Sequence, residues 1–277
     1  MAYILDWYSD PSNDTSEPLY VIDIGSGSGK LSYLIMYCLL EMKEFWPLSD
    51  HAPFVFVLSD CSEKYVPLWQ CNPLLSQFVQ MGYLDFAVFD IAAEKELVLI
   101  NRHLSISPDS LHIPPFFICS CVFSAVPQDV VRVDGDVSRG LLSLYQSSSS
   151  LEYQYALFVR HTCSLSWDYE RVPTPATLPW WSLFGESIRC SDFGVFTVPA
   201  VAGLFIESAL SWCEGRGVFL VSDWSAASGP TEPRITMEGY ARMGVDFGLL
   251  AAMATRQQGV VRMSALRESF RVASATR

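Results

Sequence analysis

Apolar residues run along this chain in short, nearly unbroken blocks, each closed by an acid or a turn residue. Leu19–Ile24, Phe54–Asp60, Leu84–Asp90, Pro115–Cys121 and Gly217–Asp223 are such blocks. That is the pattern of strands covered on both faces of a parallel sheet. Between them, apolar residues recur every three or four positions. Leu31, Leu34, Ile35, Cys38, Leu39 and Met42 predict a helix that runs to Phe45-Trp46 and stops at Pro47. Val66–Met81, broken at Pro73, predicts further helix, Ala92–Asn101 a charged one, and Ala200–Trp212 and Phe247–Arg256 two more. Short terminal strands are expected at Gly259–Met263 and Glu268–Ala273. The alternation of strand and helix predicts an α/β fold with a doubly wound, mainly parallel sheet.

The middle of the chain breaks this rhythm. Val130–Asp136 has the look of a strand entering a tight turn, Gln146–Ser150 is a serine-rich linker, and Tyr153–Ser166 could add strand. Pro173, Pro175 and Pro179 precede Trp180-Trp181, whose rings are read as packing under a long loop. Residues 137–194 are therefore expected to form an insertion or cap within a domain covering 19–277, with 1–18 as a polar leader; the helix at 66–81, rich in Trp69, Leu74, Leu75, Phe78 and Val79, is read as core.

Composition narrows the function classes. Of 277 residues, half are hydrophobic and 13% aromatic, enough for a large core. The net charge of −12, with no Lys/Arg run, argues against a nucleic-acid surface, because neutralising phosphates needs clustered positive charge. A basic protein segment or a small cation would be steered in more readily. The eight cysteines, at 38, 61, 71, 119, 121, 163, 190 and 213, include no Cys-x2-Cys pair, so no metal site is expected. They are read as buried, reduced thiols, with Cys119 and Cys121 on one face of a strand. His103 and His112 are expected at the surface. The first 14 residues resemble neither a signal nor a transit peptide, and no apolar run reaches the roughly 18 residues of a membrane span. A soluble, cytoplasmic protein without a membrane partner is the expectation.

The candidate chemistry lies after the first strand, in Asp23-Ile24-Gly25-Ser26-Gly27-Ser28-Gly29-Lys30. A phosphate-binding P-loop would need glycine at Ile24 and Ser or Thr at Leu31; the dinucleotide fingerprint would need glycine at Lys30. Both fail. The remaining pattern, Asp-x-Gly-x-Gly-x-Gly, resembles the first motif of class I S-adenosylmethionine (SAM) methyltransferases. In such sheets, ligands bind at the carboxyl ends of strands, where Gly25–Gly29, Asp60, Asp90 and Ser120 would converge. The resemblance implies that Asp23 braces the loop, that Gly25, Ser26, Gly27 and Gly29 cradle the cofactor, that Asp60 holds the ribose with Cys61 beside it, that Asp90 receives the adenine amino group with Ile91 beside it, and that Ser120 and Cys121 stand near the methyl. Ser62 is placed to cap the following helix.

The later segments resemble the MidA-like group more closely, whose members include mitochondrial complex I assembly arginine methyltransferases. Asp60-x-Ser62, Trp69-Gln70, Ser120-Cys121-Val122-Phe123-Ser124-Ala125-Val126-Pro127 and Val245-Asp246-Phe247-Gly248-Leu249-Leu250 follow that group's motifs in order. The resemblance implies a Rossmann-like methyltransferase acting on a protein side chain, and by family alone a mitochondrial setting. Cys121 and Ser124 stand where the group carries glutamate and aspartate, so an arginine acceptor does not carry over. Ser120, Cys121 and Ser124 are the candidate catalytic residues. A SAM-binding scaffold that has lost catalysis is the second reading. An NAD(P)-dependent oxidoreductase is the third, disfavoured by the glycine spacing and by the lack of a clear Tyr-x3-Lys pair.

Overall fold

The computed structural model describes residues 4, 7, 17–42, 54–146, 163–191, 193–226, 235–237, 241–263 and 270–276. These divide into two compact units, one of residues 1–120, 205–221 and 274–277, the other of 121–204 and 222–273. The expectations for the leader, for the end of the first helix beyond residue 42, and for residues 147–162 lie wholly or largely outside the described residues.

In the first unit the strands are β1 (Leu19–Ile24), β2 (Phe54–Asp60), β3 (Leu84–Val88), β4 (Leu97–Leu99), β5 (Leu104–Ile106) and β6 (Phe116–Ser120). The helices are α1 (Lys30–Glu41), α2 (Tyr65–Gln70) and α3 (Pro73–Gln80). β1 is central, pairing in parallel with β2 on one side and β6 on the other, while β3 pairs in parallel with β2. Every residue of β1 is buried, which is why Leu19–Ile24 reads as a continuous apolar run. Successive side chains alternate between faces. Leu19, Val21, Phe54, Phe56, Leu58, Phe86 and Ile118 form one core cluster with Met36 and Leu39 of α1 and with Trp69, Leu75 and Phe78 of α2 and α3. On β6 the intervening Phe117 faces a different set, packing 4.5 Å from Phe219, 5.7 Å from Trp212 and 5.8 Å from Phe205 between ring centroids. Apolar packing on both faces is the doubly wound arrangement expected.

The second unit carries an antiparallel sheet in the order β10-β7-β8-β9, from β7 (Asp129–Asp134), β8 (Asp136–Gln146), β9 (Cys163–Arg171) and β10 (Phe193–Val198). Gly135, at φ 70°, makes the tight turn between β7 and β8. Helix α4 (Trp181–Arg189) follows β9. Helix α5 (Ala200–Leu210) and strand β11 (Val218–Ala226) each carry the chain from one unit to the other. β12 (Ile235–Met237) and β13 (Ala241–Met243) pair antiparallel, and β14 (Val245–Asp246) pairs in parallel with the end of β11. Helix α6 (Phe247–Arg256) is capped by Asp246, whose Oδ1 accepts the Leu249 N–H at 3.1 Å. Strands β15 (Val260–Met263) and β16 (Phe270–Thr276) follow.

Several local expectations are corrected. Ala92–Asn101 is not a helix: Leu97 and Leu99 are buried with Val98 exposed between them, the period of a strand, and β4 pairs antiparallel with β5. Cys119 and Cys121 do not share a strand face, because β6 ends at Ser120 and Cys121 turns to φ 58°. Nor are the thiols generally buried: among the described residues Cys119 and Cys213 are, whereas Cys38, Cys61, Cys71, Cys121 and Cys190 are exposed. Ser62 does not cap α2, which starts without a side-chain cap. The third strand stops at Val88, leaving Asp90 in the turn beyond it.

Candidate functional site

Strand register brings the glycine loop and the acids together. Ile24 of β1 is level with Ser59 of β2 and with Cys119 of β6, so the next residues, Gly25, Asp60 and Ser120, leave three adjacent strands at one height. Asp60 is itself level with Val88, placing Asp90 just past the end of β3. The Phe89 N–H donates to the Asp60 carbonyl at 2.9 Å, which ties the two strand ends together.

The loop itself is left-handed at alternate residues, with φ of 68° at Gly25, 52° at Gly27 and 74° at Gly29. Side chains rarely tolerate such values, which explains the three glycines. At Gly29 packing adds a second requirement, since a Cβ there would lie 2.8 Å from Leu58 Cδ2. At Gly27 it would meet nothing within 4 Å.

A set of hydrogen bonds holds the loop in shape. Ser26 Oγ donates to the Asp23 carbonyl at 2.8 Å and accepts from Ser59 N at 3.1 Å, while Ser26 N donates to Ser59 O at 2.9 Å. Trp69 Nε1 donates to Gly27 O at 2.8 Å. The buried Asp23 carboxylate accepts the Ser32 hydroxyl at 2.6 Å, joining β1 to the first turn of α1. Burial pushes Asp23 up to about 6, opposed by the hydrogen bonds from Ser32 and Ser26 and reinforced by the nearby Asp60 charge.

Asp60 and Asp90 use the same local device, one oxygen accepting the N–H two residues on. Asp60 Oδ1 takes Ser62 N at 3.1 Å, and Asp90 Oδ1 takes Ala92 N at 2.9 Å. Asp60 Oδ2 takes the Gly27 N–H at 3.2 Å, so the second-strand carboxylate lies against the glycine loop. Asp90 N donates to Glu94 Oε2 at 2.7 Å, and no described protein group donates to Asp90 Oδ2. Cys61 Sγ lies 3.8 Å from Asp60 Oδ1; partial burial first, then the charges of Asp60 and Asp90, hold this thiol above its usual range. It is a protonated neighbour of the two acids and not an activated nucleophile. Ile91 is buried beside them, and Ser120 is half-buried at the end of β6.

Cys121 and Ser124 belong to the second unit. Cys121 N donates to Ser222 O at 2.7 Å, and its side chain is exposed. Ser124 is buried, and its N–H donates to Asp223 Oδ2 at 2.9 Å. Asp223 has no exposed surface; burial raises its pKa against hydrogen bonds from the Ser124 hydroxyl and from the N–H groups of Ser124, Trp224 and Phe123. Although Ser124 stands where the resembled group has aspartate, a carboxylate is present beside it, supplied by β11. Trp180 and Trp181 are buried, with Trp180 Nε1 donating to Asp129 Oδ2. No cluster of His, Cys, Asp and Glu suited to a metal occurs among the described residues, and none of the described helices is long and apolar enough to cross a membrane.

Sequence reasoning missed Ser32, Ser59 and Trp69 as supports of the loop, and Asp223 as the partner of Ser124. The signal for the first two was a serine beside each motif, at the start of α1 and just before Asp60. Trp69 was visible as a large apolar residue and within the Trp69-Gln70 motif, neither of which marks its indole N–H as a loop contact, and Asp223 only as the acidic end of a strand.

No family model matches this chain, and no curated protein does. Among solved structures, it is similar to a "likely methyl transferase" from Burkholderia thailandensis bound to S-adenosyl-homocysteine, at 11% identity and a TM-score of 0.55, covering 100% of this chain and 74% of that one. The citrinin polyketide synthase CMeT domain matches at 13% identity and TM-score 0.44, over 95% of this chain and 48% of that one. A 1,6-didemethyltoxoflavin-N1-methyltransferase from Burkholderia thailandensis matches at 9% and 0.41, over 100% and 86%. These last two scores carry no argument. The first establishes a fold, the mostly parallel α/β architecture of a methyltransferase.

Proposed function

We propose that this chain is a SAM-dependent methyltransferase of the class I type, with its cofactor at the carboxyl ends of β1, β2, β3 and β6. The observation that carries the reading is the hydrogen bond from Gly27 N to Asp60 Oδ2, which fixes an acid against a loop of three left-handed glycines. The loop fits an adenosyl group in two further respects: the side of Gly27 on which a Cβ would project is open, and α1 begins without a side-chain cap.

When bound, the cofactor would supply a sulfonium-activated methyl group, whose C–S electron pair returns to sulfur as an acceptor lone pair takes the carbon. The chain's own task is to position and exclude water. Gly25, Gly27 and Gly29 would shape the cradle, with Asp23, Ser26, Ser59 and Trp69 holding it. Asp60 retains acceptor capacity for the ribose, and Asp90 Oδ2 for the adenine amino group. Ser120, Cys121 and Ser124 are kept as the acceptor-side residues. Residues 137–194, read as an insertion, fall within the second unit.

Thermal melting with SAM, S-adenosylhomocysteine, NAD and ATP tests this. A ligand that binds only the folded state stabilises by about 2.7 kcal/mol at one hundred times Kd. The adenosyl sulfur compounds should raise Tm saturably while NAD and ATP do not, and Asp60→Ala should abolish most of the shift. A response to NAD and none to SAM would overturn the reading. Saturable SAM binding without methyl transfer into any lysate fraction would instead support the scaffold reading, which the absence of the group's acids at Cys121 and Ser124 favours.

A further inference from the structure

The turn between β3 and β4 is fastened at both ends, within the first unit. At its start the Phe89 N–H donates to the Asp60 carbonyl at 2.9 Å, and the buried Phe89 ring packs 5.9 Å from Trp212 and 6.1 Å from Phe205 between centroids. At its end the indole N–H of Trp212 donates to the Lys95 carbonyl at 3.0 Å, and the buried Leu97 follows. Between these anchors Ala92, Ala93 and Glu94 are exposed, so hydrogen bonds and not burial must fix the backbone there.

Those hydrogen bonds close on Asp90. Its N–H donates to Glu94 Oε2 at 2.7 Å. Its carbonyl accepts the Glu94 N–H at 2.9 Å and the Ala93 N–H at 3.1 Å, and its Oδ1 accepts the Ala92 N–H at 2.9 Å. Glu94 therefore grips Asp90 twice, side chain and backbone pairing reciprocally as in a capping box. Among the described residues, Oδ2 is the polar atom of Asp90 to which nothing donates. Aspartate readily bonds its own backbone, so an Asp90 N–H released from Glu94 would compete for this carboxylate. The path of the chain would stay anchored at Phe89 and Lys95.

We infer that Glu94 is a positioning residue for base recognition: by occupying the Asp90 N–H, it keeps Asp90 Oδ2 free for an exocyclic amino group. The class of ligand selected is an adenosyl thioether or sulfonium. The hypoxanthine counterpart is refused, because it presents a carbonyl oxygen to a carboxylate that can only accept. The inference rests on the methyltransferase reading, which puts adenine at Asp90. Glu94 touches no ligand and acts through Asp90.

Calorimetric titration of the full chain with S-adenosylhomocysteine and S-inosylhomocysteine tests this. Wild type should bind the adenine compound about tenfold or more tightly, as expected for a hydrogen bond to a charged group. Glu94→Ala should weaken S-adenosylhomocysteine about tenfold and leave S-inosylhomocysteine within about twofold of wild type, so that the preference collapses. Glu94→Gln, whose amide oxygen can still accept the Asp90 N–H, should keep the preference. In an Asp90→Ala background Glu94→Ala should have no further effect, because the two residues act as one unit. Equal losses for both compounds would reduce Glu94 to a structural role and overturn the proposal. Glu94→Gln behaving like Glu94→Ala would do the same, as would additive effects with Asp90→Ala or a wild type indifferent to the base. Two outcomes separate the claims. Adenosyl binding whose base preference survives Glu94→Ala sinks the role of Glu94 alone. No binding of either compound up to about 1 mM sinks the methyltransferase reading, and the inference with it.

Discussion

Asp23 holds its proton more tightly in the folded chain than an ordinary carboxylic acid does, since burial takes it from 3.8 to about 6. Below about pH 4 folded and unfolded states are both protonated, and the group costs nothing. Between there and about pH 6 the unfolded chain releases its proton while the folded chain retains it, and above 6 the penalty is complete, about 3 kcal/mol. The contribution is therefore present in acid and lost as pH rises through about 6. Asp23→Asn keeps an acceptor for Ser32 and removes the titration. Denaturant melts from about pH 4.5 to 7.5 should show the variant gaining on wild type as pH rises; a constant gap would refute the assignment. The glycines separate in a different way. Gly29→Ala meets both a φ of 74° and Leu58 at 2.8 Å and should lose about 2–4 kcal/mol of stability. Gly27→Ala meets only its φ of 52°, so it should lose about 1 kcal/mol while weakening SAM binding more than tenfold. Melting and calorimetry of the pair distinguish a packing glycine from a ligand-facing one.

The helices that follow β2 divide their work. α2 supplies Trp69, whose ring packs between Tyr65 and Phe86, with centroids at 5.9 and 5.8 Å, while its N–H holds Gly27 O. α3 is capped by Asn72, which accepts Leu74 N at 3.0 Å, and touches nothing in the loop through that cap. Trp69→Phe preserves much of the packing but orphans the Gly27 carbonyl, so about 1 kcal/mol of stability and a measurable share of SAM affinity should go together. Asn72→Ala should cost a similar amount of stability and leave SAM affinity unchanged. Equal binding losses in the two variants would show that Trp69 acts only through general stability.

Across the chain, the first unit is not contiguous in sequence. Phe205, Trp212 and Phe219 come from residues 205–221, yet they pack on Phe117 and Phe89, and Trp212 Nε1 holds the Lys95 carbonyl at 3.0 Å. β11, in the same stretch, lies beside β6. A fragment of residues 1–120 would expose those rings' partners and the open edge of β6. It should show neither near-ultraviolet circular dichroism nor a cooperative melt, whereas the full chain shows both. A sharp, reversible transition in the fragment would mean that the 205–221 stretch is dispensable.

The parallel core and its glycine loop were legible because their causes are local: buried apolar runs mark the strands, period and punctuation mark the helices, and left-handed φ demands glycine. Asp60 at the end of β2 could be placed from the same apolar runs, and Asp90 nearly so, two residues beyond the end of β3. Four matters depended on tertiary structure. The short apolar pair Leu97 and Leu99 becomes strand and not helix because β5 is there to pair with it. Cys121 leaves its strand, with its N–H held by Ser222 from 101 residues further on. The carboxylate beside Ser124 comes from Asp223, 99 residues away. The cavity of about 650 Å³ lined by residues 124–130, residues 139–142, Trp167 and Met243 exists only where four segments meet. Contacts between distant residues leave no periodic trace along the chain, so each of these was decided by packing alone.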